Sequence, residues 1–211
     1  MAATPEGWPL LLTALDEARQ RGFLGPDQEP DVVARHAAGF EPALLPALAD
    51  SGTGRIVDLG SGGGVPGLVL ALLLPGAKLT LVDASVSRTD WLHRIVRRLR
   101  LTDRVEVRRE RAEVLGHDPA WREAQDVVVA RSFAPPLVTA ECAAPLLGWG
   151  GRLVVSEPPA DRRAERWPAE ELGQLGLRRV TWSDTAYAVF EKAAPCPPEV
   201  PRARKVRGHT S

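Results

Sequence analysis

Arg55-Ile-Val-Asp-Leu-Gly-Ser-Gly-Gly-Gly-Val-Pro-Gly67 is the stretch that decides the fold of this 211-residue chain. Ile56 and Val57 are β-branched and suit a strand. Asp58 follows, and five glycines then fall between positions 60 and 67, broken only by Ser61, Val65 and Pro66. Gly60, Ser61 and Gly62 predict a turn where positive φ carries no steric cost and a ligand can approach the backbone without meeting a Cβ. Pro66 is expected at the first helical position, which its fixed φ fits. Gly67 to Leu74 supplies an apolar helix. Strand, glycine turn and helix form the first βα unit of a doubly wound nucleotide-binding fold, whose ligand lies at the carboxyl edge of the sheet. Gly62, Gly64 and Gly67 also satisfy the G-x-G-x-x-G spacing, a weak signal by itself; a loop that merely turns needs fewer glycines.

Asp58 discriminates between ligands. A dinucleotide sets a doubly negative pyrophosphate at the helix N-terminus, and a carboxylate two residues before the first glycine opposes it. S-adenosylmethionine has no phosphate and carries a sulfonium and an ammonium, which a carboxylate at the strand end favours. Asp58, Gly60, Ser61, Gly62 and Val65 are therefore candidate contacts to a methyl donor.

The composition fits a single well-buried core with short flanking segments. It is 44% hydrophobic and 26% charged, with 27 basic and 27 acidic residues. A net charge of zero excludes binding to nucleic acid through a basic bulk and leaves local patches. Cys142 and Cys196 lie far apart, without metal-ligand spacing, and suit a reducing compartment. The amino-terminal residues lack the basic start and apolar run of a signal peptide, and Leu68 to Leu74 is too short to span a bilayer. A cytoplasmic chain without metal or membrane partner is the expectation.

Leu11, Leu12, Leu15 and Ala18 recur at helical spacing between Pro9 and Arg21, and Pro30–Gly39 and Pro42–Ala49 are two further helical candidates. Together they make a helical cap over residues 1–50. Lys78 to Val82 reads as a second strand ending in Asp83, 19 residues beyond Gly64, where this fold places an acid for the ribose hydroxyls. A helix capped by Ser85 or Ser87 runs to about Leu99, with Trp91, Leu92, Ile95, Val96 and Leu99 on one face and Arg88, Arg94, Arg97, Arg98 and Arg100 on the other. That charge run is a solvated face or part of an RNA footprint. Val105–Arg108 is a third strand, and the residues just past it, Ala112 and Glu113 among them, are positioned to flank an adenine. Asp126–Ala130 is a fourth strand, apolar enough to be central, and it delivers Arg131 to the carboxyl edge. Arg131 is always protonated, so it cannot act as a base; it can clamp a carboxylate, a phosphate or a guanine edge. A helix over Pro136–Leu147, a turn over Gly148–Gly151, a strand over Arg152–Ser156 and a helix over Arg162–Leu175 follow. Leu177–Trp182 and Tyr187–Glu191 then read as an antiparallel closing pair. From Ala193 the chain is Pro-rich and then basic, with Arg202, Arg204, Lys205 and Arg207. A disordered tail over 193–211 is expected, with a phosphate-contacting arm as the alternative.

The assembled motifs resemble the bacterial 16S ribosomal RNA guanine-N7 methyltransferases, the glucose-inhibited division protein B family. The resemblance covers roughly Arg55 to Val155. It is carried by Val57-Asp-Leu-Gly-Ser-Gly-Gly-Gly-Val-Pro-Gly67, by Leu81-Val-Asp83 with Arg88, by Arg111-Ala-Glu113 and by Ala130-Arg-Ser-Phe-Ala-Pro135. It implies a Rossmann-like α/β methyltransferase fold over residues 51–192, with a mostly parallel seven-stranded sheet. It also implies S-adenosyl-L-methionine as donor and ribosomal RNA or the small ribosomal subunit as partner, with a monomer expected. By the same resemblance Gly60 and Val65 contact the donor, Ala112 and Glu113 hold its adenine, and Arg131 lies in the active site, a candidate both for the catalytic role and for contact with the donor. The chain departs from the family in three places: His36-Ala-Ala-Gly-Phe40 keeps only the histidine of a His-x-x-Asp-Ser motif, Ser87 stands where a Lys is usual, and Ser156-Glu-Pro-Pro159 replaces a Lys-Gly.

Guanine N7 offers a free in-plane lone pair, so it can attack a sulfonium methyl without first losing a proton, and catalysis can rest on proximity and alignment. The absence of an evident general base, and of an Asn-Pro-Pro-aromatic motif after the fourth strand, fits that chemistry. Cys142, inside a helical pattern, reads as a small buried hydrophobe and not as a nucleophile. Three alternatives stay open: a methyltransferase of this lineage with another substrate, a non-catalytic cofactor-fold protein that binds RNA or a partner, and a nicotinamide oxidoreductase. Asp58 and the lack of a hydride-site pair disfavour the last.

Overall fold

The computed structural model describes residues 5–49, 52–158, 166–180 and 186–202. Three helices come first: α1 (Trp8–Gln20), α2 (Pro30–Ala38) and α3 (Glu41–Leu44). The alternating part follows: β1 (Gly54–Leu59), α4 (Gly67–Leu73), β2 (Ala77–Asp83), α5 (Val86–Arg98), β3 (Val105–Arg109), α6 (Ala112–Leu115), β4 (Gln125–Ala130), α7 (Pro136–Ala143) and β5 (Leu147–Ser156). It closes with α8 (Ala169–Gln174), β6 (Leu177–Val180) and β7 (Tyr187–Lys192). The strands form one sheet in the order β3-β2-β1-β4-β5-β7-β6. β7 runs antiparallel to both β5 and β6, and the rest is parallel, the mostly parallel seven-stranded sheet expected from the sequence.

Alternation along each strand builds the two layers. Ile56, Leu79, Leu81, Val127 and Val129 face one core with α1, α2, α4 and α5, while Val57, Leu59, Val82, Val128 and Ala130 face the other with α7 and α8. Both faces are covered, which is why the central strands are near-continuous apolar runs. On α1 the buried residues are Leu11, Ala14, Leu15 and Ala18, a stripe at helical period against the first core. Chain direction reverses its progress across the sheet between β1 and β4, and that is where a crevice opens above the strand ends. Register sets Asp58 between Leu81 and Val129, and Leu59 between Val82 and Ala130, so Asp58, Asp83 and Arg131 rise from adjacent strand ends.

Several local expectations change. The glycine-rich stretch Gly148–Gly151 is not a turn between elements but the irregular first half of β5: Gln125 pairs with Leu147 and Val127 already pairs with Arg152, so the intervening residues bulge out. Helix α7 accordingly stops at Ala143. Pro42–Ala49 is only a short turn of α-helix plus a 3-10 turn over Leu45–Ala47, because Pro46 cannot continue the α-helical bonding. Pro66 stands just before α4, at its cap, and the Val65–Pro66 bond is cis. Ser85 occupies the cap of α5 but makes no side-chain capping bond: its hydroxyl meets Ser87, while its own N–H donates to Asp83 Oδ1 at 2.9 Å. Of the helix expected over Arg162–Leu175 only Ala169–Gln174 is helical among the described residues, since Pro168 stands at its cap and residues 166–168 are irregular; residues 162–165 and 181–182 lie outside the described residues.

The tail departs most from its expectation. Residues 193–202 are packed, with Cys196, Val200 and Pro201 buried. The Arg122 guanidinium donates to the carbonyls of Gly116, Cys196, Pro197 and Val200, at 2.9, 3.2, 2.7 and 2.9 Å. Prolines bring no N–H to satisfy, so a Pro-rich segment needs only its carbonyls bonded in order to lie against a surface. Arg202 ion-pairs with Glu141 and is therefore engaged within the fold. Arg204, Lys205 and Arg207 lie outside the described residues.

Candidate active site at the carboxyl edge

The glycine loop is stitched to the end of β2. The N–H groups of Gly60 and Ser61 both donate to the Val82 carbonyl, at 2.9 and 3.0 Å, and the Gly62 N–H donates to Asp83 Oδ2 at 2.9 Å. Asp83 thus holds the loop with one oxygen and the start of α5 with the other, while Arg88 sits 3.7 Å away. Each carboxylate oxygen keeps a further acceptor site, so these bonds leave Asp83 able to receive a ribose hydroxyl.

Gly60 has φ of +70°, and a Cβ placed there would lie 2.6 Å from Cδ2 of Phe133. Glycine is needed for both reasons, and the Phe133 ring lies directly on the loop. Phe133 reaches it because Ser132, in the left-handed region at φ +53°, turns the chain sharply after β4. Strain of that kind in a non-glycine residue costs about 1 kcal/mol and is concentrated at functional turns.

Two cavities meet at this wall. The first, about 330 Å³, is lined by Gly60, Asp83, Arg88, Glu110, Ala112 and Glu113 among others. The second, about 410 Å³, is lined by His36, Arg131, Ser156, Glu157, Arg166 and Trp167 among others. Ser132, Phe133 and Ala134 line both, so the two cavities flank one loop. Larger than either is a groove of about 490 Å³ at the opposite, amino edge of β1, β2 and β3, lined by Arg55, Lys78, Glu106 and Trp121; it is far from these strand ends.

The candidate residues divide between these places. Gly60, Asp83, Ala112 and Glu113 share the first cavity, and Arg131 lines the second. Ser61 and Val65 are buried within the loop, where the Ser61 hydroxyl donates to the Asp58 carbonyl at 2.9 Å. Asp58 is 1% exposed; its Oδ2 accepts the Gly67 N–H at 3.0 Å, at the first residue of α4, and its Oδ1 has no partner. Burial pushes the Asp58 carboxyl up to about 7, with the Gly67 amide and Ser61 opposing, the charge of Asp83 reinforcing and that of Arg131 opposing. Burial pulls the Arg131 guanidinium down, and Asp58 opposes this. A buried carboxylate oxygen without a hydrogen-bond donor is costly, and an ammonium or sulfonium nearby relieves that cost.

Those features fit an S-adenosyl group. A Cβ at position 60 would run into Phe133 on the wall of the first cavity, that cavity presents carboxylates from Asp83, Glu110 and Glu113, and Oδ1 of the buried Asp58, at the end of β1, has no hydrogen-bond partner. Among the described residues no group of three or more His, Cys, Asp or Glu could hold a metal ion, and no helix is long and apolar enough to cross a membrane. Cys142 is buried inside α7, as a small hydrophobe would be.

The sequence reading does not single out Phe133 or Trp167 as site residues. For Phe133 there is a usable signal: an aromatic close behind a strand-end arginine, in a loop stiffened by Pro135 and Pro136. For Trp167 there is none, since only the fold brings it to Glu157. The arginines of α5 are partly engaged within the protein: Arg98 bonds Glu17 of α1 at 2.8 and 3.0 Å and Arg88 faces Asp83, while Arg94 and Arg97 are exposed.

Comparison with known proteins agrees with this geometry. A solved geranyl diphosphate C-methyltransferase from Streptomyces coelicolor A3(2), in complex with S-adenosyl-L-homocysteine, superposes with a TM-score of 0.56 over 79% of this chain and 81% of its own at 15% identity, which speaks for the fold. A Prochlorococcus marinus (strain MIT 9313) protein named ribosomal RNA small subunit methyltransferase G is 48% identical over 101 residues, 48% of this chain and 41% of the relative. Over this and two further cyanobacterial relatives of the same name, the match spans under half of the relative's length. A protein of the same name from Carboxydothermus hydrogenoformans is 34% identical over 185 residues, 82% of this chain and 77% of the relative. With the model of that family also matching residues 15–161, this chain belongs to the rRNA small subunit methyltransferase G family.

Proposed function

We propose that this protein transfers the methyl group of S-adenosylmethionine to N7 of a guanosine in 16S ribosomal RNA, acting in the cytoplasm on the small ribosomal subunit. The observation that carries the reading is the pair of cavities sharing the Ser132-Phe133-Ala134 wall at the strand-order reversal, one acidic and glycine-cradled, the other beside Arg131. Family membership supports the same reading.

In this reading Gly60 leaves the loop open to the donor, Asp83 receives the ribose hydroxyls, and Ala112 with Glu113 flanks the adenine. Asp58 favours the positive end of the donor from beneath. When bound, the donor supplies an electrophilic methyl on a sulfonium: the guanine lone pair forms the new bond, and the S–C pair stays on sulfur. No proton moves in that step, so no side chain serves as base, and Arg131 orients the base or a phosphate without titrating. What the protein contributes is alignment across the shared wall.

The test incubates labelled S-adenosylmethionine with under-methylated small subunits and maps the label. One guanosine modified at N7 is expected, and Arg131→Lys is expected to lower turnover by about tenfold or more with S-adenosylhomocysteine affinity unchanged. No transfer from a protein that binds S-adenosylhomocysteine overturns the reading.

A further inference from the structure

The second cavity holds a carboxylate where the family resemblance leads one to expect a Lys-Gly. Glu157 directly follows β5, and its own N–H donates to the Ala186 carbonyl at 2.7 Å, so its backbone is fixed. Its side chain is 6% exposed yet lines the cavity. One oxygen accepts the Trp167 indole N–H at 2.8 Å, and the other lies 3.4 Å from the Arg166 guanidinium. Trp167 is itself immobilised, buried against Phe190 with ring centroids 4.7 Å apart. The carboxylate is therefore held in one orientation, and each of its oxygens keeps an acceptor site unused by those bonds.

Two adjacent acceptors on a rigid carboxylate match two adjacent donors. Guanine presents such a pair, N1–H and N2–H, on its Watson–Crick edge. Adenine and cytosine each alternate a donor with an acceptor there, and uracil offers a single donor between two acceptors. Resting on the methyl-transfer reading above, we propose that Glu157 determines acceptor specificity by receiving the guanine N1–H and N2–H. That grip turns the opposite edge of the base, with N7, away from Glu157 and toward the wall of Ser132 and Phe133. Arg131, on the same cavity, can donate to O6 without occupying N7. Arg166 balances the Glu157 charge, so the cavity stays attractive to an RNA phosphate through Arg131.

The competing role is a latch that merely ties residues 166–167 to the end of β5, and base substitution separates the two. Small subunits are reconstituted with guanosine or with inosine at the mapped position; inosine lacks the 2-amino group but keeps N7. Transfer is measured with the native protein and with Glu157→Gln, alongside S-adenosylhomocysteine affinity. The native protein is expected to prefer guanosine by about tenfold or more, and Glu157→Gln to bring that preference close to unity with donor affinity intact. A guanosine-to-inosine preference unchanged in the variant, whatever its overall rate, overturns the proposal and leaves the methyl-transfer reading standing. No transfer by the native protein to either subunit overturns both. If Glu157→Gln fails to fold, Trp167→Phe keeps the ring on Phe190 while releasing one carboxylate oxygen; it is expected to reduce the preference, and an undiminished preference overturns the proposal.

Discussion

Replacing Asp58 by asparagine tests whether a buried, half-partnered carboxylate underlies the glycine loop. The native group is 1% exposed and is raised by burial from its ordinary 3.8 to about 7. A carboxyl raised on folding binds more protons in the folded than in the unfolded chain between those values. Its contribution therefore weakens the fold as pH rises from about 4 to about 7, and is constant above. At about 1.4 kcal/mol per unit the full cost at pH 8 is roughly 4 kcal/mol, of which about 1.5 is already present at pH 5, leaving about 2.5 kcal/mol between the two. The amide side chain of the Asp58→Asn variant can still accept the Gly67 N–H, but it buries an amide group where Oδ1 stood, at a cost of about 1–3 kcal/mol that does not depend on pH. The absolute stabilities of the two proteins are thus uninformative, and their difference as a function of pH isolates the charge. Urea unfolding at pH 5 and pH 8 is expected to show the variant gaining about 2.5 kcal/mol on the native protein across that interval. An equal difference at both values refutes the buried-charge reasoning. In the methyl-transfer reading, S-adenosylhomocysteine should also bind the native protein more tightly at pH 8 than at pH 5, its ammonium favouring the ionised form, with a flatter profile in Asp58→Asn.

Gly60→Ala combines a left-handed φ with a Cβ 2.6 Å from Phe133, and should lose about 1–3 kcal/mol, read as a fall in Tm of roughly 3–10 °C. Adding Phe133→Ala should restore only the steric share, and full native stability in Gly60→Ala contradicts the packing described. Gly39→Ala would ordinarily be neutral or stabilising at φ −64°, yet its Cβ would overlap the Tyr187 hydroxyl and lie 2.9 Å from Cζ. A loss of about 1–3 kcal/mol, partly recovered with Tyr187→Phe, is expected by denaturant unfolding, and a stabilised variant counts against the contact. Arg122→Met leaves four carbonyls of the 116–200 junction without their donor, so proteolysis near Cys196–Val200 should accelerate, with about 2–4 kcal/mol lost. Unchanged cleavage would mean that the segment is held by its apolar contacts alone.

Arg55–Gly67 is legible as a strand, turn and helix because β-branched residues, a glycine cluster and an apolar run are local signals, each readable within a few positions. The parallel strands are legible for the same reason, and the family motifs sit on them. The bulge in β5 is not: glycines read locally as a turn, and only pairing with β4 draws Gly148–Gly151 into the sheet. The packed tail escapes a local reading because its composition is that of a disordered segment. What orders it is Arg122, more than seventy residues away.

The sequence by itself determined the fold class, the acidic strand end at Asp58 and the arginine at the end of β4, since these depend on the order of residues along single elements. Tertiary structure alone decided that Asp58 lies buried beneath the loop with one oxygen unpartnered, that Phe133 packs on Gly60, and that Glu157 meets Trp167 beside Arg131. Those are contacts between strand ends and loops distant in the chain, and their geometry is set by sheet order and register, which no local pattern encodes.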